Sequence, residues 1–472
     1  MDKHIITIVI LTLTFLYNSC KGRSWWPLNY NLCGVDLHRT SLIKDYNFKD
    51  TNFYLIATNV KFYNCFFKNC SVFAMGHESH LSFCQSVYTG VDKTLLDIKH
   101  YRVVLFWKCV FHNIKTYPRK SIVLISDVKA IHIDYCMFIN ITGSILITTT
   151  PFPTNQISFT NVLVKHVNFK QRAITCIFCL HYVSHIFIEH IQVTQVKGLA
   201  IKAFKTKSIT VKRSVFASCQ KAIKVSISLE GYYLHQNCVN STVNISLINT
   251  IFTNCHYSAN RGGSIDITNS RQEYTMHVSI KNCSFLFSSA LYKGGALFMD
   301  KLYSATVTNT MFIGNRVKCG AGGAVFANTS FFNMINCQFI SNTAGDTIWS
   351  KGRGNKCHHS NGGAVGTGDM QSLSIISTIF VANKALFEGG ALITSGKNMY
   401  AEVTNCSFAH NVALRLKGGG VSCTGARVIL VFMNCVFINN TSKSGQGGGI
   451  FASVHRTFLL STLFEYNSAA HG

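Results

Sequence analysis

The sequence predicts an all-β chain, a right-handed parallel β-helix (solenoid) of about fourteen coils, and three observations carry that expectation. Apolar alternation slips by one residue at regular intervals. An inward aromatic follows each slip. In the second half of the chain, glycine pairs open a further short apolar strand in each repeat.

The slip is clearest in Val278-Ser279-Ile280-Lys281-Asn282-Cys283-Ser284-Phe285. Apolar residues alternate at 278 and 280 and again at 283 and 285, so the period of two is broken at Asn282. A strand keeps that period, so a break marks a corner. Asparagine is one of the few side-chain-bearing residues that accepts the left-handed conformation a tight corner needs. The same break recurs at Asn64, Lys108, Tyr135, Asn161, His190, Arg213, Asn249, Asn282, Asn309, Asn336, Ser377, Asn405, Asn434 and Ser461, fourteen corners of which eight are Asn. Most spacings lie between 23 and 29 residues, and the longer ones mark insertions.

Three residues after each corner stands an inward apolar residue. It is Phe in twelve coils (from Phe67 and Phe111 to Phe437 and Phe464) and Val164 or Val193 in the other two. Stacked coils place these side chains about 4.8 Å apart, so the rings pile along the core, each contributing about 1.5–3 kcal/mol. The glycine pairs Gly262-Gly263, Gly294-Gly295, Gly322-Gly323, Gly362-Gly363, Gly389-Gly390, Gly418-Gly419 and Gly447-Gly448 each precede a short apolar strand. They suit a corner where backbones of successive coils approach closely or take positive φ. A phosphate-cradling loop would need a helix after the glycines, and none is signalled.

Composition agrees with a repeat array. The chain has 472 residues, 47% hydrophobic, with four prolines, 34 glycines and 35 phenylalanines. Lys3 and His4 precede an apolar run from Ile5 to Leu16, the pattern of an export signal over residues 1–22, with cleavage after Gly22 or Ser19. A lipid-modified Cys20 is poorly matched by Tyr17 and Asn18. Residues 23–58 do not fit the coil pattern and are expected to cap the solenoid; divergent coils follow over 59–250, and coils with both motifs over 251–472. The next glycine pair would fall near Gly472, so the last coil is expected to be incomplete. No later segment reads as transmembrane.

Nineteen cysteines and nine N-x-Ser/Thr sequons point to an oxidising secretory route and a secreted or cell-surface location. The glycosylation candidates are Asn69, Asn140, Asn240, Asn244, Asn328, Asn439 and Asn440; the sequons at Asn282 and Asn405 fall at corners. Cysteine occupies the position after the corner in seven coils (Cys65, Cys109, Cys136, Cys283, Cys337, Cys406, Cys435), where Ser or Thr replaces it in five others. Exchange among small residues at one phase predicts a ladder of buried, reduced thiols. The cysteines off that ladder (Cys33, Cys70, Cys84, Cys219, Cys238, Cys255, Cys319, Cys357 and Cys423) are the disulfide candidates.

Residues 252–472 resemble the repeats of the polymorphic outer-membrane proteins, with their paired F-x-x-N and G-G-A-[I/L/V] motifs. The matching residues are Phe312/Asn315, Phe339/Asn342, Phe380/Asn383, Phe408/Asn411, Phe437/Asn440 and Phe464/Asn467, with the glycine pairs between them. Residues 60–250 look more like generic coils of the pectin-lyase-like superfamily. The resemblance implies adhesion or surface display. Bacterial members continue into a membrane β-barrel, which this sequence does not signal. The cysteines and sequons look more like eukaryotic β-helix proteins carrying the same repeats.

Catalysis finds little support. Polysaccharide hydrolysis needs two carboxylates about 5–10 Å apart, and lyase chemistry needs a base beside a carboxylate-bound calcium. The 19 acidic residues scatter over different coil phases; Asp127 and Asp134 lie on neighbouring strands and Asp92 and Asp97 in a loop. Cys176-x-x-Cys179-x-His181 has ligand-like spacing inside an apolar strand, where core or disulfide cysteines are the simpler reading. Cys357-His358-His359 reads as a disulfide-tied loop, with Cys319 the candidate partner, ahead of a metal site. No catalytic, cofactor-binding or metal residue is assigned, and no cofactor is expected.

The net charge of +25 points to an acidic partner. The function expected is a secreted or cell-surface binding or adhesion protein for an anionic glycan or another extracellular surface. The alternatives are a polysaccharide lyase or glycoside hydrolase on the same fold and a purely structural rod. Nucleic acid is not expected as a partner of an exported chain. The insertions at residues 68–100, 228–242 and 343–361 are the expected contact loops.

Overall fold

The computed structural model describes residues 30–33, 41–50, 52–56, 59–90, 95–116, 121–149, 154–169, 176–227, 242–257, 261–270, 274–345 and 360–471. The expected signal segment lies outside them, as do residues 228–241 and 346–359 of the expected insertions. The chain is a parallel β-helix divided into two compact units, Met1–Gln192 and Val193–Gly472. There is no helix among the described residues.

In the first unit, Asn47–Lys49, Phe66–Lys68, Val87–Thr89, Val110–His112, Met137–Thr142 and Leu163–Asn168 lie side by side in parallel. Their register stacks Phe48, Phe67, Tyr88, Phe111, Phe138 and Val164 in one inward column. In the second unit the equivalent column runs from Phe216 through Phe252, Phe285, Phe312, Phe339, Phe380, Phe408 and Phe437 to Phe464. Successive rings there are stacked 4.6–5.3 Å apart and within 10° of parallel.

All fourteen corner residues read from the slip have positive φ, between 46° and 55°. Two more corners, Asp45 (57°) and Gln85 (49°), bring the set to sixteen among the described residues. Each is followed five residues later by a second left-handed residue, such as Asn69 after Asn64 and Phe287 after Asn282. At Phe287 a bulky aromatic holds this strained conformation, so the second corner is set by the rung and not by residue type. The two turns bracket the short strand that carries the stacked ring.

The two added corners correct the sequence reading in two places. The described part of the expected insertion at 68–100 is coil: Ser71–Cys84, Val87–Thr89 and Leu96–Trp107 are strands in parallel register. Residues 41–56, assigned to the cap, also form coil strands, with Ser41–Lys44 beside Val60–Tyr63 and Asn52–Ile56 beside Ser71–Cys84. These early rungs are short, so their slips fall outside the spacing that marks the later coils.

The F-x-x-N asparagines form a buried ladder in the second unit. Asn342 shows the pattern. Its Nδ2 donates to the Phe312 carbonyl (2.9 Å) and to Asn383 Oδ1 (3.0 Å), and its own Oδ1 accepts from the Asn315 main-chain N–H (2.9 Å) and Nδ2 (3.0 Å). Two donors and two acceptors are thereby satisfied, which is what a buried amide requires. The ladder runs from Asn315 to Asn467, and the Ser288 main-chain N–H closes its first end on Asn315 Oδ1 at 3.0 Å.

The glycine pairs close a second, eight-stranded parallel sheet that runs from His256–Tyr257 to Ser468–His471. The first glycine of each pair has φ between 61° and 74°. A Cβ on the second would enter the backbone of the next rung, as at Gly323, where it meets the Gly363 carbonyl. Both glycines are therefore required, for different reasons.

Candidate binding groove

At the start of the second unit, three successive rungs leave an open groove of about 460 Å³ lined by Val196, Lys197, Ser218, Cys219, Gln220, Asn254 and His256. Its construction follows from the second corner. Gln195, Ser218 and Asn254 are the left-handed residues (φ 55°, 53° and 50°). The next residue in each rung (Val196, Cys219 or Cys255) turns inward and is buried. The one after it (Lys197, Gln220 or His256) is exposed.

No carboxylate is among the described residues that line the groove. The stretch 193–229 contributes Lys197, Lys202, Lys205, Lys207, Lys212, Arg213, Lys221 and Lys224, eight cations with no acidic residue among them. His256 Nδ1 lies 2.9 Å from Ser289 Oγ on the next rung, and partial burial holds its imidazole below the usual histidine range. At neutral pH the groove therefore offers one lysine ammonium, the Gln220 and Asn254 amides and a neutral imidazole, a set suited to anionic and hydroxylated ligands.

Beside Gln220, Lys221 turns into the protein. Its side chain is 3% exposed, and its Nζ lies 2.8 Å from Asp266 Oδ2 and 2.7 Å from the Arg261 carbonyl. Burial lowers the lysine pKa to about 8 against the opposing pull of Asp266. Thr268 donates to the other carboxylate oxygen at 3.1 Å. Asp266 is thus held in an internal pair and adds no charge to the groove.

Several of the remaining acids are held by partners of their own. Asp127 faces His100 at 2.6 Å, Asp300 accepts from Asn328 at 2.8 Å, and Glu388 from Ser422 at 3.2 Å. Asp97 is partly buried, which raises its pKa, and Asp92 lies outside the described residues. No cluster of three potential metal ligands occurs among the described residues.

The seven cysteines of the expected thiol ladder are free and buried. Burial pushes Cys283 and Cys337 up to about 11, which suppresses the reactive thiolate. The disulfide expectation needs correction at Cys84, Cys219, Cys255 and Cys423, which are also free and buried, and Cys70 is buried with them. Cys70, Cys219 and Cys255 stand six residues after their corners, the phase that Asn315 to Asn467 occupy later, so they are rungs of a second ladder. Cys176 and Cys179 are joined to each other, which answers the metal-like spacing there. Cys319 is disulfide-bonded; Cys238 and Cys357 lie outside the described residues.

Among the glycosylation candidates, Asn440 is fully buried, and its Nδ2 is spent on Phe408 O and Asn467 Oδ1. Such a side chain cannot receive a glycan in the folded chain. Asn69, Asn140 and Asn439 are exposed second corners, and Asn244 is exposed on the strand Thr242–Ile248. Asn328 is half-buried, and Asn240 lies outside the described residues.

Residues 434–453 contain one complete rung motif, from the corner Asn434 through Phe437 and Asn440 to the glycine run at Gly447. They match the model of the Chlamydia polymorphic membrane protein repeat. The repeat is that of a surface or outer-membrane-associated family, which is not an enzyme family. No curated protein and no solved structure matches the chain. No helix among the described residues is long and apolar enough to cross a membrane, a statement that leaves β-barrels aside.

Proposed function

We propose that this protein is a surface-associated β-helix that binds an anionic glycan through the cationic groove of its second unit. The observation that carries the reading is a groove with no carboxylate among its described lining residues, five of which come from an acid-free stretch of sequence that carries eight cations, Lys221 among them being held internally by Asp266. Such a field attracts polyanions and makes their binding sensitive to salt. The repeat match supports a surface setting, in which adhesion is the function that a rigid solenoid with an exposed groove serves best.

Binding to immobilised heparin and hyaluronate at low and high salt tests the reading. The wild-type chain should bind at low salt and elute as salt rises. Lys197→Ala combined with Lys207→Ala should weaken binding about tenfold, equivalent to about 1.4 kcal/mol. Equal binding by variant and wild type would overturn the assignment of the groove. New reducing or unsaturated ends in the same incubation would favour the polysaccharide lyase or hydrolase alternative.

A further inference from the structure

Outward side chains in the second unit fall into columns, because parallel register places equivalent residues directly above one another. On the strands that precede the first corner, one column reads Asn244, His277, Ser304, Phe331, Ser372, Tyr400, Ile429 and Arg456. Planar groups occupy every second rung: His277, Phe331, Tyr400 and Arg456. Ser304, Ser372 and Ile429 stand between them. Two rungs span about 9.6 Å.

This alternation contrasts with the core. Inside, phenylalanines on consecutive rungs stack on one another at 4.6–5.3 Å. Outside, the planar groups of this column are too far apart to stack together. His277 instead reaches its serine neighbour, Nδ1 to Ser304 Oγ, at 2.7 Å. Tyr303 stands beside the column with its ring edge-on to both His277 and Phe331, at 5.3 Å from each. Tyr303 is 49% exposed and Tyr400 45%.

The adjacent outward column reads Ser246, Ser279, Thr306, Asn333, Ser374 and Glu402. Six successive rungs thus set a hydrogen-bonding side chain beside the alternating planar groups. A ligand matching both columns is extended along the solenoid, has ring-shaped units with an apolar face and hydroxyls at their edges, and repeats every two rungs. A β-linked pyranose chain has these properties, since half-turn rotation between neighbouring sugars returns the same ring face at every second residue. Aromatic side chains supply apolar contact area with little conformational freedom to lose.

We propose that this face binds an extended β-linked polysaccharide lying along the His277–Phe331–Tyr400 column, independently of the cationic groove. The test is depletion of the full chain from solution by cellulose and chitin powders at high salt, with granular starch as the α-linked control. Retention by at least one β-linked polymer and not by starch is expected. Phe331→Ser with Tyr400→Ser, which installs the residue already present on the intervening rungs, should weaken retention at least tenfold while heparin binding persists. Phe331→Ser with Ser372→Phe keeps the composition but shifts one ring by a rung, and it should weaken retention as well. Unchanged melting temperatures establish that the variants remain folded. Failure of the wild type to bind either β-linked polymer, equal retention by starch, or full retention by folded variants would overturn the proposal.

Discussion

The two units solve the same corner in the same way and fill the space behind it differently. Six residues after the first corner, the first unit places Cys70, Ile114, Ile141 and Val167. The second unit passes from Val196, Cys219 and Cys255 through Ser288 to six asparagines. Rung length alone does not separate the units: corners are 27 residues apart from Lys108 to Tyr135 in the first, as they are from Asn282 to Asn309 in the second, although the first unit also holds rungs as short as the 19 residues from Asp45 to Asn64. From residue 256 onward the rungs spend part of that length on the second sheet and its glycine pair. A buried amide is costly alone, yet it is satisfied when the rungs before and after supply partners in register. The comparison teaches that polarity inside a solenoid is a property of consecutive rungs.

The largest effect is expected at the glycine pairs, which no rung of the first unit carries. Gly323→Ala drives a Cβ into the backbone of Gly363 and Thr343, and it should destabilise by more than about 4 kcal/mol in urea unfolding. Gly396→Ala, whose φ is not positive and whose nearest neighbour is Met399 Cβ at 3.3 Å, should cost less than about 1 kcal/mol. Equal effects at the two sites would break the account of rung closure.

Next comes Lys221. Lys221→Met strands Asp266 in the interior and should cost about 3–5 kcal/mol, whereas Lys221→Met with Asp266→Leu should recover most of it. The wild-type site has its own pH signature. Between about 8 and the ordinary lysine value of 10.5, the unfolded chain holds a proton that the folded chain has released. Stability contributed by this site therefore rises with pH across that window, and Lys221→Met should remove the slope.

A smaller loss is expected within the asparagine ladder. Asn383→Ala leaves the Asn342 N–H and Nδ2 without their acceptor and the Phe339 carbonyl without its donor, for about 2–4 kcal/mol. In the first unit the sign should reverse for the one ring of the inward column that carries a hydroxyl. Tyr88 is buried in the ring stack, and its hydroxyl has no hydrogen-bond partner among the described residues. Tyr88→Phe should raise stability by about 1 kcal/mol, the smallest of these effects. A loss on thermal unfolding would mean that the hydroxyl is satisfied after all.

How much of this was legible in the sequence depends on periodicity. Fourteen corners can be read because a left-handed residue shifts strand parity, a signal independent of residue type. Asp45 and Gln85 escape the reading because Asp45, Asn64 and Gln85 are only 19 and 21 residues apart, below the 23–29 spacing of most coils. The F-x-x-N motif is visible, but its bonding is not, since each amide's partners lie 27 to 44 residues away. For the buried cysteines at 70, 219 and 255, an oxidising compartment is a weaker guide than phase; counting six residues from each corner places them in the core. The groove leaves only a compositional trace, the acid-free stretch, because Lys197, Gln220 and His256 meet through outward positions on separate rungs.

The regular pair of corners makes the rung a unit of insertion and loss, much as a codon is for a reading frame. Because each rung bonds mainly to its neighbours, a whole coil can be gained or deleted without rewriting the rest. The inner phenylalanine column of the second unit is indifferent to such an event, since every rung from Phe216 to Phe464 presents the same ring. The outer column is sensitive to it. Duplicating two rungs would preserve the alternation of His277, Phe331 and Tyr400 with serine, whereas duplicating one would put everything beyond it out of phase.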